Sequence, residues 1–250
     1  MEVHHPHHPT HKKKWSEYII EFVMLFAAVT LGFFAENVRE HQVIEHKTNQ
    51  NLQSVVLDLK KDSILIKKRI DEYQKASILL EKLNKLYINY HLNKISKNEY
   101  LDSSLFIGND LIFGTSFYIN NSSYKNTIAS GNFSNINSVE LKRTISDYYE
   151  VYGAKLYDNN KVLDDVVEYY TVYTFPMPGG RTDRNGEDVK FLNNYYKINE
   201  LFKTSLLDKN FIIYNQKAKD RVKIYLRLMQ IFESKNLELI NLLSNELKEN

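Results

Sequence analysis

The chain has 250 residues, of which 43% are hydrophobic and 26% charged, enough to bury one sizeable core or two small ones. Its formal net charge is +2, and that excess lies in the first fourteen residues, so residues 15–250 are neutral overall. A neutral body offers no electrostatic footprint for nucleic acid, which we exclude as a partner. The chain contains no cysteine, which excludes disulfides, thiolate nucleophiles and cysteine-ligated metal sites.

Residues 1–14 form a tail rich in histidine and lysine. Neutral imidazoles at this density can bind divalent zinc, nickel or copper ions. Prolines 6 and 9 interrupt the run and prevent a helical array of ligands. We expect a disordered tail, and any metal that it binds to be held weakly and without selectivity. The candidate ligands are His4, His5, His7, His8 and His11.

The tail is followed by an apolar run from Ile19 to Ala35, in which Glu21 is the only charged residue. As a helix this run is about 26 Å long, slightly short of the roughly 30 Å hydrocarbon core of a bilayer. Trp15 and Tyr18 lie at its basic end, where interfacial aromatic residues are common. The sequence therefore predicts a transmembrane helix over residues 15–36.

Two other interpretations of this run fit the sequence less well. A buried core helix carries an apolar stripe, whereas FVMLFAAVTLGFFA is apolar on all sides. A cleaved export signal needs a small residue where Phe33 stands, if cleavage follows Ala35. An uncleaved signal-anchor is the interpretation that we retain.

The charges flanking the run predict its orientation. Three lysines precede it, whereas Glu36, Arg39 and Glu40 follow it closely. Because cytoplasmic flanks carry the excess of lysine and arginine, we expect residues 1–14 in the cytoplasm and residues 36–250 outside it. In a Gram-negative cell this is a single-pass protein of the inner membrane with a periplasmic C-terminal domain, and the lipid bilayer is its first partner.

Residues 37–95 contain neither glycine nor proline and predict one long helix that rises from the membrane as a stalk and then joins a bundle. A walk in alternating steps of four and three residues along it gives a seam suited to packing on other helices. The seam comprises Leu52, Val56, Leu59, Ser63, Ile66, Ile70, Tyr73, Ser77, Leu80, Asn84, Tyr87 and His91.

Residues 96–250 predict the remainder of the bundle, and alternating strand patterns are scarce. The fold class is therefore all-α: an N-terminal transmembrane helix continuing into a long stalk helix, followed by an irregular helical bundle. The predicted helices cover residues 102–112, 121–130, 138–174 (with Gly153 or Asn159 and Asn160 as weak points), 188–205 and 208–247. Loop 175–187 separates the third from the fourth.

Three stretches together carry a resemblance: the N-terminal MEVHHPHH…KKKWSEYIIEFVMLFAAVTLGFFAENVREH, the segment LQSVVLDLKKD, and YKNTIASGNFSNINSVELKRTISDYYE. With its short His/Lys tail, a span ending near Glu-Asn and an SGN…YY block, the chain resembles uncharacterised single-pass membrane-anchored helical proteins of Gram-negative bacteria. The resemblance covers most of residues 1–175. It implies an anchor and a topology, and it supplies no activity and no functional residues.

The loop TDRNGED half resembles a calcium loop, but its spacing differs by one step from the pattern that the ion requires. We expect instead a surface loop that contacts a protein partner. Its candidate contact residues are Arg181, Asp183, Arg184 and Glu187. Paired tyrosines at 148–149, 169–170 and 195–196 predict core filling, with one member inward and the other outward, and the alternative is an aromatic ligand cleft between helices.

Histidine is absent after residue 91, which excludes a histidine-dependent enzyme in the distal part of the chain. We therefore expect a non-enzymatic envelope protein, without cofactor, whose periplasmic helical domain binds a protein partner, forms a homo-oligomer or scaffolds a complex. The alternative is a sensor-like helical ectodomain that binds a ligand and signals through a partner, which needs a cavity between its helices.

Overall fold

A computed structural model describes residues 14–170 and 192–249. The described residues form α-helices, one 3-10 turn and one π-helical segment, and they contain no strand, so the predicted all-α class is confirmed. The helices are α1 (Trp15–His91), α2 (Lys97–Asp110), α3 (Ser122–Ala129), α4 (Val139–Ser146), α5 (Gly153–Tyr169), α6 (Leu192–Leu207) and α7 (Phe211–Glu249). The 3-10 turn covers Asn132–Asn135, and the π segment covers Asp147–Tyr152.

Helix α1 is continuous for 77 residues and joins the apolar run to the bundle without a break. It ends at His91, because Asn93 adopts a left-handed conformation with φ 53°. The Lys94 amide there donates to the Asn89 carbonyl oxygen at 2.9 Å, which satisfies one of the last free carbonyls of the helix. Ser96 then caps α2, accepting a hydrogen bond from the Glu99 amide at 3.2 Å.

Only the distal part of α1 belongs to the core. Every residue from Trp15 to Val43 is exposed, and burial begins at Thr48. Along the predicted seam, eight residues are buried, Ser63, Ile70 and Ser77 are half-buried, and His91 is exposed. The buried members are Leu52, Val56, Leu59, Ile66, Tyr73, Leu80, Asn84 and Tyr87.

Helix α7 packs antiparallel along this distal part. Its N-terminal half contacts α1 near Leu80, where the side-chain amide nitrogen of Asn215 donates to the Leu80 carbonyl oxygen at 2.8 Å. Further along, Asn236 donates to the Leu59 carbonyl oxygen at 3.2 Å. The two helices are therefore paired over most of the length of α7, and the other elements pack around that pair.

Residues 111–121 cross the bundle as an extended segment, although the sequence predicted helix as far as residue 112. Side chains of the core satisfy its backbone groups. The Tyr73 hydroxyl donates to the Gly114 carbonyl oxygen at 2.5 Å, and Asn160 donates to the Phe117 carbonyl oxygen at 2.6 Å. These bonds pair backbone groups of an irregular segment that no helix or strand would otherwise satisfy.

Helix α4, the π segment and α5 form one continuous rod that starts at the N-cap Ser138. Gly153 is helical (φ −62°, ψ −46°) and does not break the rod. The wider π turn buries both Tyr148 and Tyr149, so the predicted alternation within that pair is wrong. In the next pair the prediction is confirmed, since Tyr170 is buried and Tyr169 is exposed.

Candidate functional site

The proximal part of α1 presents an uncovered apolar surface. Trp15 is 84% exposed and Phe33 is 74% exposed. Within the described residues, α1 is the one helix long and apolar enough to cross a membrane, and none of its most apolar 18-residue window is buried. The helix is therefore a candidate membrane span near the N-terminus.

The polar groups in this surface are few. The Thr30 hydroxyl donates to the Phe26 carbonyl oxygen at 2.8 Å, so it is satisfied inside the helix and does not require water. Just beyond the apolar run, Arg39 donates to the Glu36 carboxylate at 2.9 Å. This ion pair marks the point at which the surface of α1 changes from apolar to charged.

In the distal part, polar residues of the core attach the other elements to α1. Asn236 donates to the Leu59 carbonyl oxygen and, at 3.0 Å, to the Tyr148 hydroxyl, while its own amide oxygen accepts a hydrogen bond from Ser63. One buried side chain of α7 is thus bonded both to α1 and to the π segment. The bonds to Leu59 and Ser63 fix the register of α7 on α1, and the bond to Tyr148 attaches the π segment to α7.

A second asparagine repeats this arrangement nearer the distal end. Asn215 accepts a hydrogen bond from the Tyr170 hydroxyl at 2.6 Å and donates to the Asn84 side chain at 2.5 Å. Asn84 donates in turn to Gln216 at 2.7 Å. The chain of bonds ties the end of α5 and the start of α7 to α1.

Two carboxylates of α1 hold the start of α3. Asp62 accepts a hydrogen bond from the Asn120 amide at 3.0 Å, and Asp58 accepts one from the Ser123 amide at 3.2 Å. Negative groups are favoured at this position because the first amides of a helix point outward without partners. Burial raises the pKa of the Asp62 carboxyl to about 6, the bond from Asn120 opposes that rise, and the nearby Asp58 charge adds to it.

The site residues predicted from the sequence lie outside the described residues. These are the tail histidines His4, His5, His7, His8 and His11 and the loop residues Arg181, Asp183, Arg184 and Glu187. Among the residues that are described, no group of three or more histidine, aspartate or glutamate side chains is arranged to hold a metal ion. Both sets stay predictions.

Sequence reasoning missed a row of lysines on the outer face of α1, because it considered only the net charge of the body. Lys61, Lys68, Lys75 and Lys82 are spaced seven residues apart, and all four are exposed. A search for heptad spacing among charged residues, and not only among apolar ones, finds this row.

Comparison with known proteins returns no match: no protein-family model fits the chain, and neither curated proteins nor solved structures show significant similarity to it. The resemblance drawn from residues 1–175 therefore stays a prediction. The fold itself defines an all-α protein in which one candidate membrane span continues directly into a helical bundle.

Proposed function

We propose that this chain is a non-enzymatic envelope protein, anchored in the inner membrane by the proximal part of α1. In this proposal residues 1–14 lie in the cytoplasm, the helical bundle lies in the periplasm, and the bundle binds a protein partner or scaffolds a complex.

The observation that carries the proposal is the continuity of α1. Every residue of its first part, from Trp15 to Val43, is exposed, whereas its second part is the central helix of the bundle. Soluble monomers rarely expose contiguous apolar patches larger than a few hundred Å², whereas here every residue from Ile19 to Ala35 is exposed. Lipid would cover it at a gain of about 1.5–3 kcal/mol for each large apolar side chain.

The charges at either end of the run support the orientation. Lysines 12–14 precede Trp15, and the mixed pair Glu36 and Arg39 follows the run. Since positively charged flanks stay on the cytoplasmic side, the bundle is the part exported.

The absence of cysteine from the sequence allows a direct test of topology. One variant carries Thr10→Cys in the tail, and a second carries Lys94→Cys in the exposed turn that follows α1. After the outer membrane of a Gram-negative host is removed, we expect a membrane-impermeant maleimide to label the cysteine at position 94. We expect the cysteine at position 10 to react only after detergent is added.

The cysteine-free parent chain is the control for labelling of other groups. Labelling at position 10 in intact spheroplasts, with protection at position 94, would contradict the orientation. Recovery of both variants in the soluble fraction would contradict the anchor itself.

A further inference from the structure

The outer face of distal α1 carries two parallel rows of exposed side chains, which we call the basic face. One row is the lysine row Lys61, Lys68, Lys75 and Lys82. The other is an apolar row four residues before it, with Leu57, Ile64 and Ile78 at the same seven-residue spacing. Residues four apart are neighbours on a helix surface, so each apolar residue lies beside a lysine.

These apolar side chains are far from buried: Ile64 is 72% exposed and Ile78 is 51% exposed. At its distal end the face opens into a groove of about 640 Å³ between α1 and α2. The groove is lined by Lys82, Lys85, Leu86, Asn89, Asp102, Ser103, Phe106 and Ile107. A strip of exposed apolar groups and lysines, with Asp71 among them, therefore extends along the bundle and ends in a depression lined in part by Leu86, Phe106 and Ile107.

We propose that the basic face docks an acidic amphipathic helix of a partner protein, an inference that rests on the proposed function and identifies the chemistry of its partner. An amphipathic helix binds such a face by laying its apolar residues on the exposed apolar groups and pairing its charges with those beside them. The partner helix covers Leu57, Ile64 and Ile78 and presents glutamate or aspartate to the lysine row.

The charges of the face are free to pair with such a helix. Within the described residues, Lys68 forms the one ion pair of the lysine row, with Glu72 at 3.9 Å, and the other three lysines have no carboxylate within 4.0 Å. Asp71 occupies the third of the four positions of the apolar row, between Ile64 and Ile78. It fixes the register by requiring a lysine or arginine opposite it, as single polar residues do in paired helices.

Other occupants fit the basic face less well. In a two-fold contact with a second copy, the lysine rows of the two chains would lie close together and repel. The tail is itself basic, and residues 171–191 carry equal numbers of positive and negative side chains, so neither segment of this chain complements the face.

The membrane that holds the anchor is also an unsuitable partner. Along α1, Lys61 lies about 39 Å beyond Ala35 and Lys82 about 70 Å beyond it, at 1.5 Å per residue. A helix tilt of about 20°, the average for membrane spans, shortens these heights by only a few ångströms. Both exceed the Debye length of about 8 Å at physiological ionic strength, so anionic headgroups are screened from the lysine row.

The test places the photo-reactive residue benzoylphenylalanine at Ile64 or Ile78 in the full-length chain, in cells of its native host. Control positions are Ile128 and Val139, which are exposed but lie on α3 and α4. We expect adducts from the first two positions and not from the controls. The crosslinked peptide should come from a different protein and carry acidic and apolar residues at heptad spacing.

Charge reversal provides the matched comparison. Lys61→Glu/Lys68→Glu/Lys75→Glu/Lys82→Glu should lower the yield of adduct at least tenfold, and the corresponding four glutamines should lower it less. The control reverses four exposed lysines elsewhere: Lys97, Lys125, Lys155 and Lys217. Far-UV circular dichroism confirms that each variant folds, and reversal of the partner's acidic residues to lysine should restore the adduct.

An adduct to a second copy, to lipid or to residues 171–191, or no adduct at all, overturns the proposal. So does a crosslinked peptide without heptad-spaced acidic residues. The cysteine-labelling experiment reports separately on the anchor and the orientation. Protein adducts from the control positions alone would leave partner binding in place and refute only the basic face.

Discussion

The proximal and distal parts of α1 share one uninterrupted backbone but differ in which side chains they expose and which they bury. From Trp15 to Val43 no side chain is buried, and the apolar residues face outward on all sides. From Thr48 onward most apolar residues face inward, and the outer surface carries the lysine row beside Leu57, Ile64 and Ile78. The side chains alone therefore suit one continuous helix to an apolar surrounding in its first part and to packing in the bundle in its second part.

The buried polar groups sharpen this contrast. Asp58, Asp62 and Asn84 of the distal part are buried, and each has a hydrogen-bond partner on another element. Such groups are costly to bury unless they are paired, so each pairing favours one register over its alternatives. In the proximal part, Thr30 bonds within its own helix and needs no partner element. The distal part therefore specifies its neighbours, and the proximal part specifies only an apolar surrounding.

The largest effect should come from charges placed in the proximal part. Val23→Arg/Val29→Arg introduces two arginines into the apolar run, each costing about 3 kcal/mol on insertion scales. We expect the chain to leave the membrane fraction on ultracentrifugation. The matched control, Val38→Arg/Val43→Arg, makes the same change beyond the run and should stay with the membrane. Equal fractionation of the two variants would contradict a span over residues 15–36.

A smaller effect is expected where α7 is bonded to distal α1. Asn236→Ala removes the partner of the Ser63 and Tyr148 hydroxyls and leaves a cavity, at a cost of roughly 3–5 kcal/mol. The control is Asn241→Ala on the exposed side of the same helix, which should change the free energy of unfolding by less than about 0.5 kcal/mol. Chemical denaturation of the full-length protein in detergent, followed by circular dichroism, measures both. Equal destabilisation by the two variants would show that Asn236 does not hold the register.

The smallest of the three effects is a pH dependence from Asp62. Its folded pKa of about 6 lies above the ordinary value of 3.8, so the folded state binds the proton more tightly than the unfolded state. The contribution of this group is therefore fully present below about pH 4 and is lost as pH rises through 6, by roughly 2–3 kcal/mol. The comparison variant is Asp62→Asn, which keeps an oxygen acceptor for the Asn120 amide and does not titrate.

Denaturation of the parent chain and of this variant between pH 4 and pH 7 gives the test. We expect the stability of the parent relative to Asp62→Asn to fall as pH rises, because subtraction cancels the groups that the two proteins share. A difference that stays constant over this range, or that grows with pH, would contradict the raised pKa of Asp62.

The parts of the fold that were predictable depend on local pattern. The absence of glycine and proline and the seam from Leu52 to Tyr87 indicate a long helix with one buried face, and Ser138 marks a helix start. The end of α1 falls at His91, four residues before the predicted one, because Asn93 adopts the left-handed conformation. The spacing of apolar residues does not indicate where a single residue adopts the left-handed conformation.

The parts that were not predictable depend on contacts distant in sequence. Asp58 and Asp62 look like solvated residues until the start of α3 is placed over them, with partners 65 and 58 residues away along the chain, respectively. The π segment likewise turns Tyr148 and Tyr149 inward together, against the alternation that an ordinary turn would give. The basic face was readable from spacing but was hidden by a net charge of zero.

Because α1 is unbroken between Ala35 and Thr48, the length of this connector determines both the distance of the bundle from the apolar run and its rotation about the helix axis. Each inserted residue lifts the bundle by about 1.5 Å and rotates it by about 100° about the helix axis. Seven inserted residues lift it by about 10 Å yet return it to within about 20° of its first heading. The number of residues in this connector therefore sets the direction, about the axis of α1, in which each face of the bundle points.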